Sequence, residues 1–268
     1  MTPSDRPVSE PPEPDGKLDP MTGSAAERFD GALATSPPTL DGPDLLPARL
    51  ARACAAALRI DGAGLSLHVG VLRTPIGASD AETAHAERLQ FTVGDGPCLR
   101  ANDNGAVIAF SLEDIARNWP QLWASLLNET TFRGVLSVPL PPPMGPLVVL
   151  DLYVRDPATL TALKRTDIHD VALATTEELA LTVTGPEFPD DGSSWLDGPD
   201  AQRRARVWQA MGLVGIALGL DASDAIATMR ASAISTGRVV DDVAEDIVAG
   251  RLVPVDLRAA PHRDGNAR

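Results

Sequence analysis

The sequence contains little cysteine and no long apolar run, and both absences limit where the protein works. Only Cys54 and Cys98 occur in 268 residues, too few for a disulfide framework, which favours a reduced, cytoplasmic setting. No apolar stretch approaches the roughly 20 residues that a membrane-spanning helix needs. The N-terminal residues also lack the basic and apolar regions of a signal peptide. We therefore expect a cytoplasmic protein with no membrane partner.

Positive charge is scarce as well, since 23 Lys and Arg residues stand against 37 Asp and Glu residues, for a formal net charge of −14. This balance argues against non-specific nucleic-acid binding by the chain as a whole. The segment from residue 201 onward differs, because it holds nine arginines, no lysine and about as many acidic residues. Arginine suits bidentate phosphate contacts and stacking on bases. The alternative interpretation is that these arginines lie on solvated helix faces, paired with nearby carboxylates.

Residue patterns for catalysis or metal binding are missing from the sequence. The four histidines are far apart and show no ligand spacing with either cysteine. The turn GDGPC at 94–98 lacks the length and the lysine of a phosphate-binding loop. We expect no enzyme activity, no metal and no cofactor. Cys98 as a redox-sensing thiol is a weaker interpretation than Cys98 as a small buried residue, because the nearby carboxylate of Asp95 disfavours a thiolate.

The length predicts two domains of ordinary size. Residues 1–40 are expected to be disordered or weakly ordered, with a short helix over Ala25–Ala34, because the first part is rich in Pro, Glu, Asp and Ser. A first folded domain is expected at 41–185, a Pro/Gly/Asp linker at 186–200, a helical domain at 201–253 and a disordered tail at 254–268. Trp195 in the linker is expected to dock on the closing helix, on the first C-terminal helix or on a partner chain.

The first domain alternates helical and extended patterns. We expect an amphipathic helix in LLPARLARACAAALRI, a strand in GAGLSLHVGVLR, and a strand followed by a turn and a short helix in AERLQFTVGDGPCLRAN. AVIAFSLEDI begins as a strand, WPQLWASLLNETTF is helical, and GVLSVPL and GPLVVLDLYV are strands. A closing helix runs from Thr166 to Val183. This order predicts an α+β domain in which helices flank an antiparallel sheet.

The C-terminal domain consists of three amphipathic helices with almost no spacer between them. Apolar residues recur at helical spacing, Asp221 is placed to cap the second helix, and Gly237 is placed to end it. The expected inward faces are Val207, Ala210, Met211, Val214, Ala217 and Leu218, then Ala225, Ile226, Met229 and Ala233, then Val240, Val243, Ala244, Ile247 and Val248. Such a unit is too small to enclose a reaction, which favours recognition.

The C-terminal helices resemble the ANTAR domain, the RNA-binding module of bacterial transcription antiterminators. The matching residues are Gln209-Ala210-x-Gly212-Leu213, Asp224-Ala225, Met229-Arg230-x-x-Ala233, the Gly237 turn and Asp242-Val243-Ala244 through Ile247-Val248. The chain departs from the family at Met211, where Lys or Thr is common, and at Ile234, where an aromatic residue is common. The resemblance implies binding to a pair of RNA hairpins.

The preceding domain resembles the GAF domains that precede ANTAR domains in actinobacterial proteins. The resemblance is carried by the 94–99 turn, the segment from Asp114 to Trp119-Pro120, the Ser137–Leu140 strand and Leu150-x-Leu152-Tyr153. It implies a GAF-like sensor with a possible small-molecule ligand, and it implies a homodimer. The ligand-binding residues cannot be assigned from the sequence.

Together these patterns predict a signal-responsive RNA-binding transcription antitermination regulator. The candidate RNA contacts are Arg206, Gln209, Arg230, Thr236 and Arg238, with Ala210 and Gly212 allowing close approach. Two alternatives stay open. One is a sensor and dimerisation module that acts through protein partners, which Met211 and Ile234 favour. The other is a helix-turn-helix DNA-binding protein, which the neutral charge of the C-terminal domain disfavours.

Overall fold

The structure is a computed structural model that describes residues 23–69, 72–184, 195 and 198–259. Its strands are β1 (Gly62–Val69), β2 (Leu72–Ala78), β3 (Ile108–Ser111), β4 (Gly134–Pro139) and β5 (Val148–Val154). Its first helices are α1 (Ala25–Ala34), α2 (Leu46–Leu58), α3 (Ala81–Val93), α4 (Pro97–Asn104), α5 (Leu112–Asn118) and α6 (Pro120–Glu129). The later helices are α7 (Ala158–Ala162), α8 (Arg165–Thr184), α9 (Pro199–Leu218), α10 (Ala222–Thr236) and α11 (Val240–Val248).

The five strands form one antiparallel sheet in the order β2-β1-β5-β4-β3. An antiparallel sheet flanked by helices and followed by a helical region is the architecture that the sequence predicted at this coarse level. One strand boundary was missed, because residues 62–73 were expected to form a single strand. The structure divides them into the hairpin of β1 and β2. The boundary was missed because the residues GVL at 70–72 continue the apolar pattern of the sequence.

Helices α1, α2 and α8 cover one face of the sheet. The short helix predicted at Ala25–Ala34 is present, and Ser24 caps it in a capping box with Glu27. Phe29 of α1 is fully buried in the core of this face. This helix lies within the segment 1–40 that was expected to be disordered or weakly ordered, and the aromatic ring of Phe29 anchors it to the core.

Helices α3 to α6 lie on the opposite face. The strand predicted before the Gly94 turn is wrong, because residues 81–93 form helix α3. Asp80 caps this helix by accepting a hydrogen bond from the Thr83 backbone N–H at 2.9 Å, and Gly94 ends it at a φ of 79°. These two end signals outweigh the β-favouring residues between them. The short helix predicted next is α4.

The three predicted C-terminal helices are α9, α10 and α11. Asp221 caps α10 by accepting from the Asp224 N–H at 2.9 Å, and Gly237 ends it in the left-handed conformation. The predicted inward faces of α10 and α11 are correct except that Val248 is only partly buried. In α9 the pattern is less accurate, because Ala217 is exposed while Arg204 is buried.

Two segments outside the helices also pack against the body of the protein. Trp195 is 6% exposed, and its indole N–H donates to Thr182 Oγ1 at 3.0 Å; of the three docking places expected for it, the closing helix α8 is the one found. A 3-10 turn over Pro254–Ala259 buries Leu257 against the C-terminal helices. The predicted disordered tail is therefore ordered as far as residue 259, and its remainder lies outside the described residues.

Candidate nucleic-acid interface

The C-terminal helices dock on helix α3 of the first domain around the ring of Phe91. The guanidinium of Arg204 in α9 lies 3.5 Å from the centroid of this ring. The guanidinium of Arg230 in α10 lies 5.1 Å from it. Both distances fall within the range of a cation–π interaction. Phe91 is 2% exposed and belongs to the same apolar cluster as the three C-terminal helices, so it is the anchor between the two parts of the protein.

Hydrogen bonds fix the position of the C-terminal helices on α3. The Nε of Arg230 donates to the backbone carbonyl of Phe91 at 3.1 Å. The backbone N–H of Val240, at the start of α11, donates to Thr92 Oγ1 at 3.0 Å. Gly94 leaves room for this arrangement, since a Cβ there would lie 2.5 Å from Arg230 Nη1. Residues from α3 and from two C-terminal helices therefore form one continuous contact.

The contact contains a charged pair that is almost fully removed from water. Arg204 Nη2 lies 3.4 Å from Asp241 Oδ1, with side-chain exposures of 2% and 3%. Burial lowers the pKa of Arg204 to about 10, although the charge of Asp241 opposes this shift. Within the described residues, Arg204 Nε and Nη1 have no hydrogen-bond partner. Keeping Arg204 charged in this position is thus costly, and separating α9 from α3 would recover part of that cost.

Two of the predicted RNA contacts, the exposed Arg206 and the half-buried Arg238, form ion pairs with carboxylates of the same unit. Arg206 lies 3.1 Å from Glu245. Arg238 lies 2.6 Å from Asp246, a carboxylate that Arg251 also contacts at 2.7 Å. Hydrogen bonds from Arg251 and Arg238 hold the pKa of Asp246 below its ordinary value. The alternative of arginines paired on helix faces therefore describes their present state, although such exposed pairs exchange readily with other anions.

The other predicted RNA contacts differ in their exposure and in the groups that they contact. Gln209 is exposed on α9, and Arg230 is held on Phe91. Thr236 is exposed, but its hydroxyl donates to the Ser232 carbonyl at 2.8 Å. Ala210 is fully buried among the three helices, as expected for a close-packing point. Gly212 has no atom within 4 Å of where its Cβ would be, so the close packing expected of it is absent among the described residues.

Three arginines from the two domains line a cleft that the sequence analysis did not identify. Arg88 of α3, Arg203 of α9 and Arg238 face a space of about 380 Å³, together with His85, Glu129 and Asp242. The carboxylate of Glu129 accepts a hydrogen bond from His85 Nε2 at 2.8 Å. Arg88 lies more than a hundred residues before Arg203 and Arg238, which is why no local pattern could reveal the three arginines as a group.

Trp208 is a further candidate contact residue that was not predicted from the sequence. It is 46% exposed on the outward side of α9, together with Leu213 at 41% and Ile216 at 86%. An exposed aromatic ring offers a face on which unpaired bases can stack. The same apolar side chains are also suited to a protein partner. The signal in the sequence was that Trp208 falls outside the inward face of its helix.

Beneath α3, the sheet carries a buried polar cluster. Alternation along β1 and β5 directs Ser66, His68, Asp151 and Tyr153 towards α3 and α4. Arg73 forms ion pairs with Glu87 of α3 and with Asp151. Tyr153 donates to Glu87 at 2.6 Å. Burial, opposed by the charge of Arg73, raises the pKa of Glu87 to about 7.

Cys98 lies at one end of this cluster and is 1% exposed, which agrees with its interpretation as a small buried residue. Its sulfur accepts a hydrogen bond from Arg73 Nε at 3.1 Å and lies 3.2 Å from His68 Nε2 and 3.1 Å from Ser66 Oγ. Burial raises the pKa of the thiol well above its ordinary value. Burial, followed by the charge of Arg73, lowers the pKa of His68 to about 3. A neutral thiol and a neutral imidazole therefore lie side by side.

Among the residues that the structure describes, no three His, Cys, Asp or Glu side chains are grouped so as to hold a metal ion. No single described helix is long and apolar enough to cross a membrane. Helices α9 and α10 reach the required length and apolar character only together, and the pair is bent by 103°.

The fold and the contact on Phe91 define an α+β domain joined to a helical unit that holds buried and exposed arginines. Comparison with known proteins adds no family to this description. No protein-family model matches the chain, and no curated protein matches it significantly.

Proposed function

We propose that the protein is a signal-responsive regulator that binds RNA through its C-terminal helices, in the manner of the GAF–ANTAR antiterminators that its sequence resembles. The observation that carries the proposal is the position of Arg204 and Arg230 on Phe91. Arg204 is buried against the first domain, and Arg230 is half-buried against it. Release of this contact would expose them beside Arg206, Gln209, Trp208 and Arg238.

The first domain is connected to this contact by a short path through helix α3. Glu87 reaches into the buried polar cluster, and Phe91, one turn later, reaches into the C-terminal helices. The positive charge of Arg73 in that cluster also contributes to lowering the pKa of Arg204 and of Arg230. A signal that shifts α3 or changes the charge of the cluster would therefore bias the docking of the C-terminal helices, as expected of a two-state regulator.

The RNA proposal is tested by binding of a paired-hairpin RNA to the full chain at two salt concentrations. We expect the double substitution Arg206→Gln/Arg238→Gln to weaken binding by more than tenfold and to lower the salt slope by about 1.5, because each lost phosphate contact removes about 0.7–0.9. Arg117→Gln is the control, since Arg117 is 73% exposed but lies on α5 of the first domain. Absence of RNA binding, or an equal effect of the control, would contradict the proposal.

A second candidate function is self-association through the outward face of α9, without RNA binding. Leu213 and Ile216 are exposed there, and the open space around Gly212 would allow another helix to approach closely. The substitution Ile216→Lys separates the two candidates. Loss of the dimer with retention of RNA binding supports the RNA-binding function, whereas a dimer that never binds RNA favours the second candidate. Both candidates place the protein in the cytoplasm.

A further inference from the structure

A cavity of about 710 Å³ lies on the face of the sheet opposite α3, between strands β3 and β4 and helices α7 and α8. Its walls are Ala109 of β3, Leu136 and Val138 of β4, Leu160 of α7, and Ile168 and Ala172 of α8. The volume lies in the range of about 300–1,000 Å³ that small-molecule sites occupy. The cavity is separated by the sheet from the buried polar cluster and from the contact on Phe91.

Two basic side chains stand at the rim of this apolar space. Arg165 and His169 lie one turn apart on α8, and both are exposed. No carboxylate is among the described residues that line the cavity. The nearest acidic residues of α8 are Asp167, which pairs with Arg28 at 3.5 Å, and Asp170. In a chain of net charge −14, a cavity whose described lining has basic side chains and no carboxylate favours anions over cations.

We propose that this cavity binds an amphipathic monocarboxylate with an aliphatic body, of the fatty-acid type. The body lies against Leu136 and Val138, where each buried methylene contributes about 0.8 kcal/mol. The carboxylate lies at the rim, where Arg165 donates two parallel hydrogen bonds. The cavity has room for roughly 20 non-hydrogen atoms at about 30 Å³ each, so a chain of medium length fits inside it.

This inference deepens the proposed function by naming the chemical class of the signal. The role of the carboxylate as a signal rests on the proposed function, but its binding to the cavity does not. Binding itself is measured on the full chain without RNA. Failure of the carboxylate to bind would leave the RNA measurement untouched, and absence of RNA binding would leave carboxylate binding untouched. The two failures are therefore distinguishable.

The test is calorimetric titration of the full chain with dodecanoate below its micelle concentration, and with dodecylammonium as a probe of equal length and opposite charge. We expect saturable one-to-one binding of dodecanoate and at least tenfold weaker binding of dodecylammonium. Arg165→Gln should weaken dodecanoate binding about tenfold, the loss expected for a charge-assisted hydrogen-bonded pair. His169→Gln should weaken it by less, because the imidazole is a weaker anion partner.

Lys164→Gln is the matched control, because Lys164 is an exposed cation directly before Arg165 that does not line the cavity. All three substitutions are at exposed positions, so the variants should fold as the original protein does. Equal binding of both probes, or equal binding by Arg165→Gln and Lys164→Gln, would overturn the inference and indicate simple adsorption to apolar surface. A lack of saturable binding would overturn it as well.

Discussion

Removing the charge of Arg204 while keeping its length tests the contact between the two parts of the protein. We expect Arg204→Met to lower the free energy of unfolding by about 3–5 kcal/mol, the usual cost of leaving one member of a buried ion pair without its partner. The carboxylate left behind is Asp241, whose side chain is only 3% exposed. Loss of the stacking on Phe91 at 3.5 Å adds to this cost.

The pair itself contributes little net stability, which leads to a second expectation for the same site. Burial lowers the pKa of Arg204 from its ordinary value to about 10, which corresponds to about 3 kcal/mol against the charged form. Replacing both partners by apolar residues removes that cost. The double variant Arg204→Met/Asp241→Leu should therefore recover most of the stability that the single variant loses.

Urea unfolding at neutral pH, followed by circular dichroism and by tryptophan fluorescence, measures both effects. Arg203→Met is the matched control, since Arg203 is the preceding residue, its side chain is 49% exposed and its nearest carboxylate is 3.9 Å away. We expect this control to change the free energy of unfolding by less than about 0.5 kcal/mol. The reasoning is refuted if Arg204→Met costs no more than Arg203→Met, or if the double variant is no more stable than the single one.

Three further predictions concern other parts of the structure. Gly94→Ala should cost more stability than Gly105→Ala, because both glycines have positive φ but only at Gly94 would a Cβ meet Arg230; equal losses in thermal unfolding would mean that backbone strain alone is responsible. Trp195→Ala should lower the free energy of unfolding by about 3–5 kcal/mol, since the ring is buried and hydrogen-bonded to Thr182; exposed Trp208→Ala serves as the control in urea unfolding, and equal effects would argue against docking. Because the pKa of Glu87 is raised to about 7 in the fold, its contribution to stability is present below its unfolded value of about 4.5 and is lost as the pH rises through 7. Glu87→Gln should therefore remove a falling component of at most about 1.4 kcal/mol per pH unit from the stability profile between pH 4.5 and 7, and unchanged profiles would show that Glu87 does not bind a proton there.

The local patterns of the sequence were sufficient to predict most elements, because end signals and apolar spacing act over a few residues. Asp221 and Gly237 delimit α10 as expected. The prediction failed where local preference and end signals disagreed. In α3, Phe91, Thr92 and Val93 favour a strand, but Asp80 and Gly94 fix a helix.

The candidate site was harder to predict, because it is assembled from distant residues. Arg204 is one of nine arginines after residue 200, and it is buried because Phe91, more than a hundred residues earlier, lies over it. The polar cluster left a weak local signal, since Ser66 and His68 occupy alternate positions of a strand whose other residues are apolar. Their partners Arg73 and Cys98 become neighbours only through the hairpin and α4.

The central claim is that the first domain withholds arginines from RNA through Phe91, and the most direct test compares paired-hairpin RNA binding by the original protein and by Phe91→Ala across a range of salt concentrations. The account predicts tighter binding by Phe91→Ala and a salt slope that is steeper by about 1.5, because Arg204 and Arg230 then reach phosphates. Equal affinity and equal slope for the two proteins, or weaker binding by Phe91→Ala while its C-terminal helices remain folded, would contradict the claim.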